Sequence, residues 1–370
     1  MTTRRCLRPA VLVLLLALAA SGYGQWVEDS IDVGGAWVGS MAYNPLMDVV
    51  YGRCVYRDGI FFAIDCATNH VVASWPVDWP MYMAYDSIDH KLYLPFGFEA
   101  ESLAVIDGRT HRRIKAIPLE WARVCVWDGM RDRLYVSCPE RGVVAVFDCT
   151  QDSLICEIPV GRSPLKMFLN GRHRKLYVLN WDDSSVSVID LWSNQVVATI
   201  PLHSGVAPQS ACYCASADKF YCDSYEDVTV IDGATNGVSA RIALPAQSMV
   251  TALSVNEELG LVFIGVYSPA VRAVYTVDGQ TDSVVSVVSV GDLPERILAS
   301  SESRRTYCVN YSDEVSVLSY DGSQLLTTLP VQDAPFELAY SPRSRRLYVS
   351  HLNSRQVYVI RDEAGGIAEE

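Results

Sequence analysis

The chain has 370 residues, half of them hydrophobic, and 43 acidic residues against 30 basic ones give a net charge of −13. So acidic a protein repels polyanions, which excludes a nucleic-acid partner. No glycine/serine linker, charge block or proline-rich tract interrupts residues 26–361, and this predicts a single folded domain.

Residues 1–25 predict a secretory signal peptide. Three arginines precede an apolar run at residues 10–20, and small residues follow where a signal peptidase would cut. The run is short for a membrane span. We therefore expect cleavage between residues 19 and 25, export to the periplasm or the cell exterior, and no membrane segment in the mature chain.

After the leader, residues 26–33 predict a strand, and a phrase close to LYV then recurs along the chain. Its aromatic residue, called the anchor below, repeats at spacings of 42, 42, 42, 44, 42, 44 and 41 residues. A period of this length indicates a repeat architecture. The eight anchors are Tyr51, Tyr93, Tyr135, Tyr177, Tyr221, Phe263, Tyr307 and Tyr348.

Each copy contains four short, alternating apolar segments separated by turn residues, the pattern of four antiparallel strands. Most third strands end on an aspartate, which we expect to cap the turn that follows. These aspartates are Asp65, Asp107, Asp148, Asp190, Asp232 and Asp278.

A four-stranded sheet of this size cannot bury both of its faces alone, whereas sheets repeated around an axis cover one another. The pattern predicts an all-β fold, an eight-bladed β-propeller of four-stranded antiparallel blades over residues 26–361. The last copy ends after its third strand, so we expect the strand at residues 26–33 to complete that blade and close the ring. Residues 362–370 are expected to form a short C-terminal tail.

The repeats resemble the YVTN-type propeller repeat, whose consensus runs YVTN, a polar turn, VSVID and a valine-rich strand ending in IPVG. The resemblance extends over the mature chain and is carried by "LYVLNWDDSSVSVIDLWSNQVVATIPL", "RLYVSCPERGVVAVFDCTQDSLICEIPVG" and "RRLYVSHLNSRQVYVI". It implies an exported bacterial or archaeal protein. Seven blades are usual in that family, so seven blades are the alternative to the eight that the anchors predict.

Tryptophans occupy the start of the innermost strand in the first three blades, at Trp37, Trp79 and Trp121. In a propeller, the turns from fourth to first strand and from second to third strand share one face, here called the upper face. The three tryptophans are predicted to form an aromatic arc on the upper rim of the central tunnel, where a ligand would stack. The alternative is that they pack between blades and plug the ring.

Polar residues in the next positions of the innermost strands converge on the tunnel axis. The candidates are Tyr82, Arg123, Lys166, Arg296 and Glu337. The three cations are suited to hold an anionic group, and the glutamate is either part of that site or an ion-pair partner of a cation.

Aromatic and acidic residues are frequent in the turns of the upper face, as in protein and carbohydrate contact surfaces. No two of the six histidines have a metal-ligand spacing and no CxxCH haem-attachment sequence occurs, so neither a metal nor a cofactor is expected. We expect a monomeric binding or scaffolding protein whose upper face meets a protein or a carbohydrate. The alternatives are an enzyme with its site at the tunnel mouth, a lactonase-like hydrolase or a lyase, and a redox propeller that carries a cofactor.

Ten cysteines remain after the leader, and export permits disulfides. Cys125 with Cys138, and Cys212 with Cys222, are the pairs that a hairpin would bring closest. A common hairpin register allows at most one of them.

Overall fold

The computed structural model describes residues 24–55, 59–77, 81–96, 102–202, 208–224 and 227–363. These residues form 32 β-strands in eight four-stranded antiparallel sheets, arranged as an eight-bladed β-propeller. The fold prediction is confirmed, and the alternative of seven blades is excluded. Residues 1–23 of the predicted signal peptide and residues 364–370 of the predicted tail lie outside the described ranges.

The blades follow one another in chain order. Blade 1 contains β2 (Val38–Asn44), β3 (Val49–Cys54), β4 (Ile60–Asp65) and β5 (His70–Pro76). Blade 2 contains β6 (Ala84–Asp86), β7 (Lys91–Phe96), β8 (Ser102–Asp107) and β9 (Arg113–Pro118). Blade 3 contains β10 (Val124–Asp128), β11 (Arg133–Cys138), β12 (Val143–Asp148) and β13 (Ser153–Pro159). Blade 4 contains β14 (Pro164–Asn170), β15 (Lys175–Asn180), β16 (Ser185–Asp190) and β17 (Gln195–Pro201).

The second half of the ring repeats this arrangement. Blade 5 contains β18 (Ala211–Cys214), β19 (Lys219–Asp223), β20 (Asp227–Asp232) and β21 (Val238–Ala243). Blade 6 contains β22 (Met249–Asn256), β23 (Leu261–Tyr267), β24 (Arg272–Asp278) and β25 (Ser283–Ser289). Blade 7 contains β26 (Pro294–Ser300), β27 (Arg305–Asn310), β28 (Glu314–Ser319) and β29 (Leu325–Pro330). Blade 8 contains β30 (Pro335–Ser341), β31 (Arg346–His351), β32 (Gln356–Asp362) and the N-terminal strand β1 (Gln25–Asp32).

A short 3₁₀ helix, Pro139–Arg141, links β11 to β12. In the part of the chain that the structure describes, no helix has the length and apolar character that crossing a membrane requires.

The two ends of the chain close the ring within blade 8, as predicted. Strand β1 pairs antiparallel with β32 as the outermost strand of the sheet. Glu28 of β1 accepts two hydrogen bonds of 2.7 Å from the guanidinium of Arg346 on β31. This bidentate ion pair clamps the N-terminal strand to the C-terminal repeat.

The hydrophobic core lies between neighbouring blades. Every residue of β3 and β15 is buried, whereas the outer strand β5 alternates half-buried and exposed residues. Each inner strand has a blade on both of its faces, and the outermost strands reach the rim, where the spacing opens. At the closure, Phe62 of blade 1 packs with Tyr348 and Val357 of blade 8.

The anchor residues join each blade to the next. All eight are fully buried, and six of the tyrosine hydroxyls bond to the following blade, at the end of its third strand or in the turn after it. Tyr93 donates to Asp152 at 2.9 Å, and Tyr221 donates to Asp282 at 2.8 Å. The equivalent bonds run from Tyr51 to Gly108, from Tyr135 to Asn194, from Tyr307 to Asp362 and from Tyr348 to Asn69. The aromatic of each repeat is therefore an inter-blade residue, which explains why it recurs.

The six aspartates at the ends of third strands cap their turns, as predicted. Asp65 accepts a 2.8 Å bond from the backbone N–H of Thr68, and Asp190 accepts one of 2.8 Å from Ser193. The other four accept equivalent bonds from Thr110, Gln151, Thr235 and Thr281.

Neither suggested cysteine pair faces across a hairpin. Cys125 lies opposite Val136, and Cys212 lies opposite Tyr221. All ten cysteines of the described chain are free thiols.

Candidate functional site

The innermost strands of the blades converge on the central tunnel, which contains two cavities one above the other. The upper cavity has a volume of about 270 Å³ and the deeper one about 310 Å³. Tyr82, Lys166 and Arg296 line both cavities. These three side chains form a polar layer across the tunnel; Lys166 and Arg296 are the third residues of their innermost strands, and Tyr82 lies at the equivalent position of blade 2.

The structure brings most of the predicted site residues together at the upper cavity. Tyr82, Arg123, Lys166 and Arg296 line it directly. Glu337 joins the group through Arg296, whose Nε donates to the glutamate Oε1 at 2.9 Å. The sequence-based prediction left this glutamate as a site residue or an ion-pair partner, and in the structure it forms the ion pair.

Three interactions fix the guanidinium of Arg296 over the tunnel. Besides its bond to Glu337, its Nη1 donates to the backbone oxygen of Glu295 at 2.8 Å, and the group lies over the ring of Phe336 at 5.3 Å. The charge of Glu337 raises the pKa of Arg296. The arginine is therefore a fixed positive charge, held in one orientation by its neighbours.

The ammonium group of Lys166 has a different environment. Among the described residues its Nζ makes no hydrogen bond or ion pair, and the side chain faces the tunnel between the two cavities. Burial, and to a lesser degree the charge of Arg296, lower the pKa of Lys166 to about 8. A cation surrounded by protein without a counter-ion favours binding of an anion.

Two ionisable residues of the site lie two positions after their anchors, where the sequence analysis did not search. Arg53 follows the anchor of blade 1 and Asp223 follows the anchor of blade 5, on opposite sides of the ring. Both are nearly inaccessible, at 6% exposure each. The signal that would have found them is a charged residue at a repeat position that holds Pro95, Ser137, Leu179, Gly265, Val309 and Ser350 in the other blades.

Arg53 reaches the tunnel because blade 1 has a glycine on its innermost strand. A Cβ added to Gly39 would lie 3.1 Å from the guanidinium carbon of Arg53, so a larger residue there would displace the arginine. Nε of Arg53 donates to Ser40 at 2.9 Å, and the guanidinium lies 5.2 Å from the centre of the Tyr82 ring. Burial lowers the pKa of Arg53 to about 10, which leaves it charged at neutral pH.

Asp223 lies against the backbone that leads into the innermost strand of blade 5. Its carboxylate accepts bonds from the N–H groups of Gln209 at 2.9 Å and Ser210 at 3.1 Å. Burial raises the pKa of Asp223 to about 6 and also raises the pKa of Glu295. Both carboxyl groups therefore ionise less readily than they do in water.

The charges around the tunnel favour an anionic ligand. Four cations, Arg53, Arg123, Lys166 and Arg296, meet three carboxyl groups, and burial raises the pKa of two of those three. This cationic cluster lies on the axis of a protein whose net charge is −13. Low-dielectric walls concentrate the field of the excess positive charge on a ligand of the opposite sign.

Of the three tryptophans predicted to form the arc, Trp37 and Trp121 line neither cavity. Trp37 is 44% exposed and Trp121 is half-buried, and both have a left-handed backbone, with φ of 59° and 60°. Trp79 lies outside the described residues. The aromatic residues that line the upper cavity are instead Tyr82, Trp181 and Phe336.

No histidine lines either cavity among the residues that the structure describes. His351, near the upper end of β31, bonds through Nδ1 to the backbone oxygen of Gln356 at 3.1 Å and packs on the ring of Tyr358. Burial lowers the pKa of His351 to about 4, so its imidazole is neutral at pH 7.

The fold and the tunnel define a class of protein, an eight-bladed β-propeller with a polar, cation-rich tunnel. Similarity to solved structures supports this architecture. The chain is similar to the computationally designed Ika8 protein, with a TM-score of 0.72 and 13% identity over 89% of this chain and 98% of that one. It is also similar to the hydrazine synthase of Kuenenia stuttgartiensis, with a TM-score of 0.60 and 17% identity over 76% of this chain and 95% of that one. No family model and no curated protein matches the sequence.

Proposed function

We propose that this chain is an exported binding propeller of the YVTN type, which holds a small carboxylate-bearing ligand, of the acidic-sugar class, at the upper mouth of its tunnel. The observation that carries this proposal is the unpartnered ammonium of Lys166 beside the fixed guanidinium of Arg296. An anionic ligand would supply the counter-ion that the described residues do not provide. The predicted signal peptide supports export, and the resemblance of the repeats supports the YVTN type.

The lining of the upper cavity fits both parts of such a ligand. The ammonium and guanidinium groups bind a carboxylate by charge-assisted hydrogen bonds. The rings of Trp181 and Phe336 offer flat apolar surface to the carbon face of a sugar, and Gln209 and Thr251 offer hydrogen bonds to hydroxyl groups. A volume of about 270 Å³ suits one sugar unit rather than a long chain.

Isothermal titration calorimetry with glucuronate tests the proposal, with glucose as the neutral sugar of the same size. We expect glucuronate to bind and glucose not to bind. Lys166→Met should abolish the binding, whereas Arg162→Gln should retain it, because Arg162 is an exposed arginine on the same blade that pairs with Asp183 and lines neither cavity.

Two results would contradict the proposal. One is equal affinity for glucuronate and glucose, and the other is full retention of glucuronate binding by Lys166→Met. Binding only of a protein or a peptide would make the upper face a macromolecular contact surface instead.

A lyase is the second candidate, and one observation favours it. A lysine whose pKa is about 8 has a neutral amine available near neutral pH, and such an amine is a competent general base. Lys166 would remove the proton next to the carboxylate while Arg296 neutralises the carboxylate, and the group on the neighbouring carbon would leave with its electron pair as the double bond forms. Ultraviolet absorbance of the conjugated product, from a uronate disaccharide, would reveal this reaction, and Lys166→Met would abolish it.

A further inference from the structure

On the lower face of the propeller, the same contact occurs at two of the blade junctions. The last residue of an innermost strand reaches the turn after the third strand of the next blade. In blade 1 the Asn44 amide donates to the backbone oxygen of Gly108 at 2.9 Å, and in blade 6 the Asn256 amide donates to that of Tyr320 at 2.9 Å. A side-chain amide provides both the turn cap and the donor to the next blade.

Where the same position is not asparagine, other junctions compensate. Asp128 of blade 3 pairs with Arg174 of blade 4, with 3.0 Å between Nη2 and Oδ2. At the closure between blades 8 and 1, Ser341 and Ser344 donate their hydroxyls to Asp48. Each of these carboxylates has a donor or a cation as its partner.

The junction between blades 2 and 3 has an acidic residue without that compensation. Asp86 is fully buried, and its Oδ1 accepts bonds from the N–H groups of Ile88 at 2.8 Å and Asp89 at 3.1 Å. Its Oδ2, also buried, has no hydrogen-bond partner. An unpaired buried carboxylate oxygen is costly, so a missing partner is indicated at this point.

Two further potential ligands, both from blade 3, lie close to the carboxylate of Asp86. Asp132 and Cys149 each place one ligand atom within 4.8 Å of the others and of Asp86. Among the residues that the structure describes, this is the one such cluster of three. The nearby cation Lys91 is directed elsewhere, since it bonds to the backbone oxygen of Cys149 and to Asp152.

We propose that Asp86, Asp132 and Cys149 bind a divalent cation of the zinc class, which links blade 2 to blade 3. Two carboxylates and a thiolate are ligands that zinc accepts, and the sulfur favours zinc over calcium or magnesium. The metal would replace the thiol proton of Cys149, and this proton would leave to solvent as the sulfur–metal bond forms. The Asp86 Oδ2 then gains a partner, as its equivalents have in the junctions described above.

Cobalt(II) titration of the metal-free full chain tests the site, because a thiolate bound to cobalt gives a strong absorption band. We expect one equivalent to bind with that band, and zinc to displace it. Asp86→Asn and Cys149→Ser should each weaken binding by about 100-fold or more. Asp86→Asn is expected to fold, since Asn44 and Asn256 occupy the same position in other blades.

Cys66→Ser is the matched control. Cys66 occupies the position of Cys149 in blade 1, is equally buried, and its N–H bonds to the oxygen of Asp48 at 2.9 Å as that of Cys149 bonds to Asp132 at 3.2 Å. This variant should keep the cobalt band unchanged. Absence of the band in the wild type, or a band that survives Cys149→Ser, would overturn the proposal. The proposal would also be overturned if cobalt and zinc left the stability of the wild type unchanged and Asp86→Asn were more stable than the wild type. That result would show that Asp86 is a protonated residue that caps the turn.

Discussion

The inter-blade role of the anchor tyrosines predicts that the same substitution, tyrosine to phenylalanine, changes stability differently at two anchors. Tyr221→Phe removes a fully buried hydroxyl that donates to Asp282 at 2.8 Å and to the backbone oxygen of Gly279 at 3.2 Å. Tyr177→Phe removes a hydroxyl at the same position of blade 4, equally buried, that makes no well-formed hydrogen bond. The Asn170 amide lies beside it without reaching hydrogen-bond geometry.

The expected loss for Tyr221→Phe follows from its partner. A hydrogen bond to a charged group contributes about 1.5–3 kcal/mol. Asp282 keeps its ion pair with Lys219, at 2.7 Å, so the carboxylate is not left alone and a loss of about 2 kcal/mol in the free energy of unfolding is expected. Tyr177→Phe should be neutral or stabilising, because it removes a buried polar group that has no partner. Phe263 shows that a phenyl ring fits the anchor position.

Urea unfolding at pH 7, followed by tryptophan fluorescence, measures both changes. The two variants should unfold with the same denaturant slope as the wild type, because the buried area hardly differs. The inter-blade explanation would be refuted if Tyr177→Phe lost as much stability as Tyr221→Phe, or if neither variant lost any.

Three further predictions follow from the charged groups. Because burial raises the pKa of Asp223 from 3.8 to about 6, its contribution to stability is complete below pH 3.8 and is lost as the pH rises through 6. Urea unfolding at pH 4 and pH 7.5 tests this. From the lower to the higher pH, the free energy of unfolding of Asp223→Asn should rise relative to that of the wild type by up to about 3 kcal/mol. A difference between variant and wild type that is the same at both pH values would contradict this. Glu28→Gln should cost about 1–3 kcal/mol through the lost bidentate pair with Arg346, while Asp29→Asn, whose side chain bonds only to the adjacent N–H, should stay within about 0.5 kcal/mol. Glucuronate affinity should fall about tenfold per pH unit above 8, where Lys166 loses its proton, and calorimetry that found constant affinity up to pH 9.5 would exclude the lysine as the anion ligand.

The architecture was predictable because the same sequence pattern occurs in eight copies. Anchor spacing, alternating segments and the unpaired strand at residues 26–33 together define the blades, their number and the closure, and each of these features is visible in the sequence without knowledge of any contact. The turn aspartates were predictable for the same reason, since an aspartate and its turn N–H groups are three residues apart.

The tunnel chemistry was predictable only in part, because its residues meet across the ring. Comparing innermost strands found Lys166 and Arg296 but not their environment. Arg53 reaches the axis from a second strand, through the space that Gly39 leaves, and no feature of blade 1 alone shows this. Whether a cation is paired, as Arg296 is with Glu337, depends on neighbouring blades, and a repeat alignment does not contain that contact.

The repeat itself provides a way to separate structural residues from candidates for function. A feature that most blades share, such as the anchor tyrosine, is explained by the ring. A charged residue at a position that is uncharged in several other blades cannot be required for the ring, because those blades form without it. Lys166 in the tunnel and Asp86 on the lower face both meet this condition, since blade 1 has Ser40 and Asn44 at the two positions. Among the described residues, each lacks a partner on at least one polar atom. They belong to different blades and opposite ends of the innermost strands, so loss of glucuronate binding in Lys166→Met should leave cobalt binding intact, and loss of cobalt binding in Asp86→Asn should leave glucuronate binding intact.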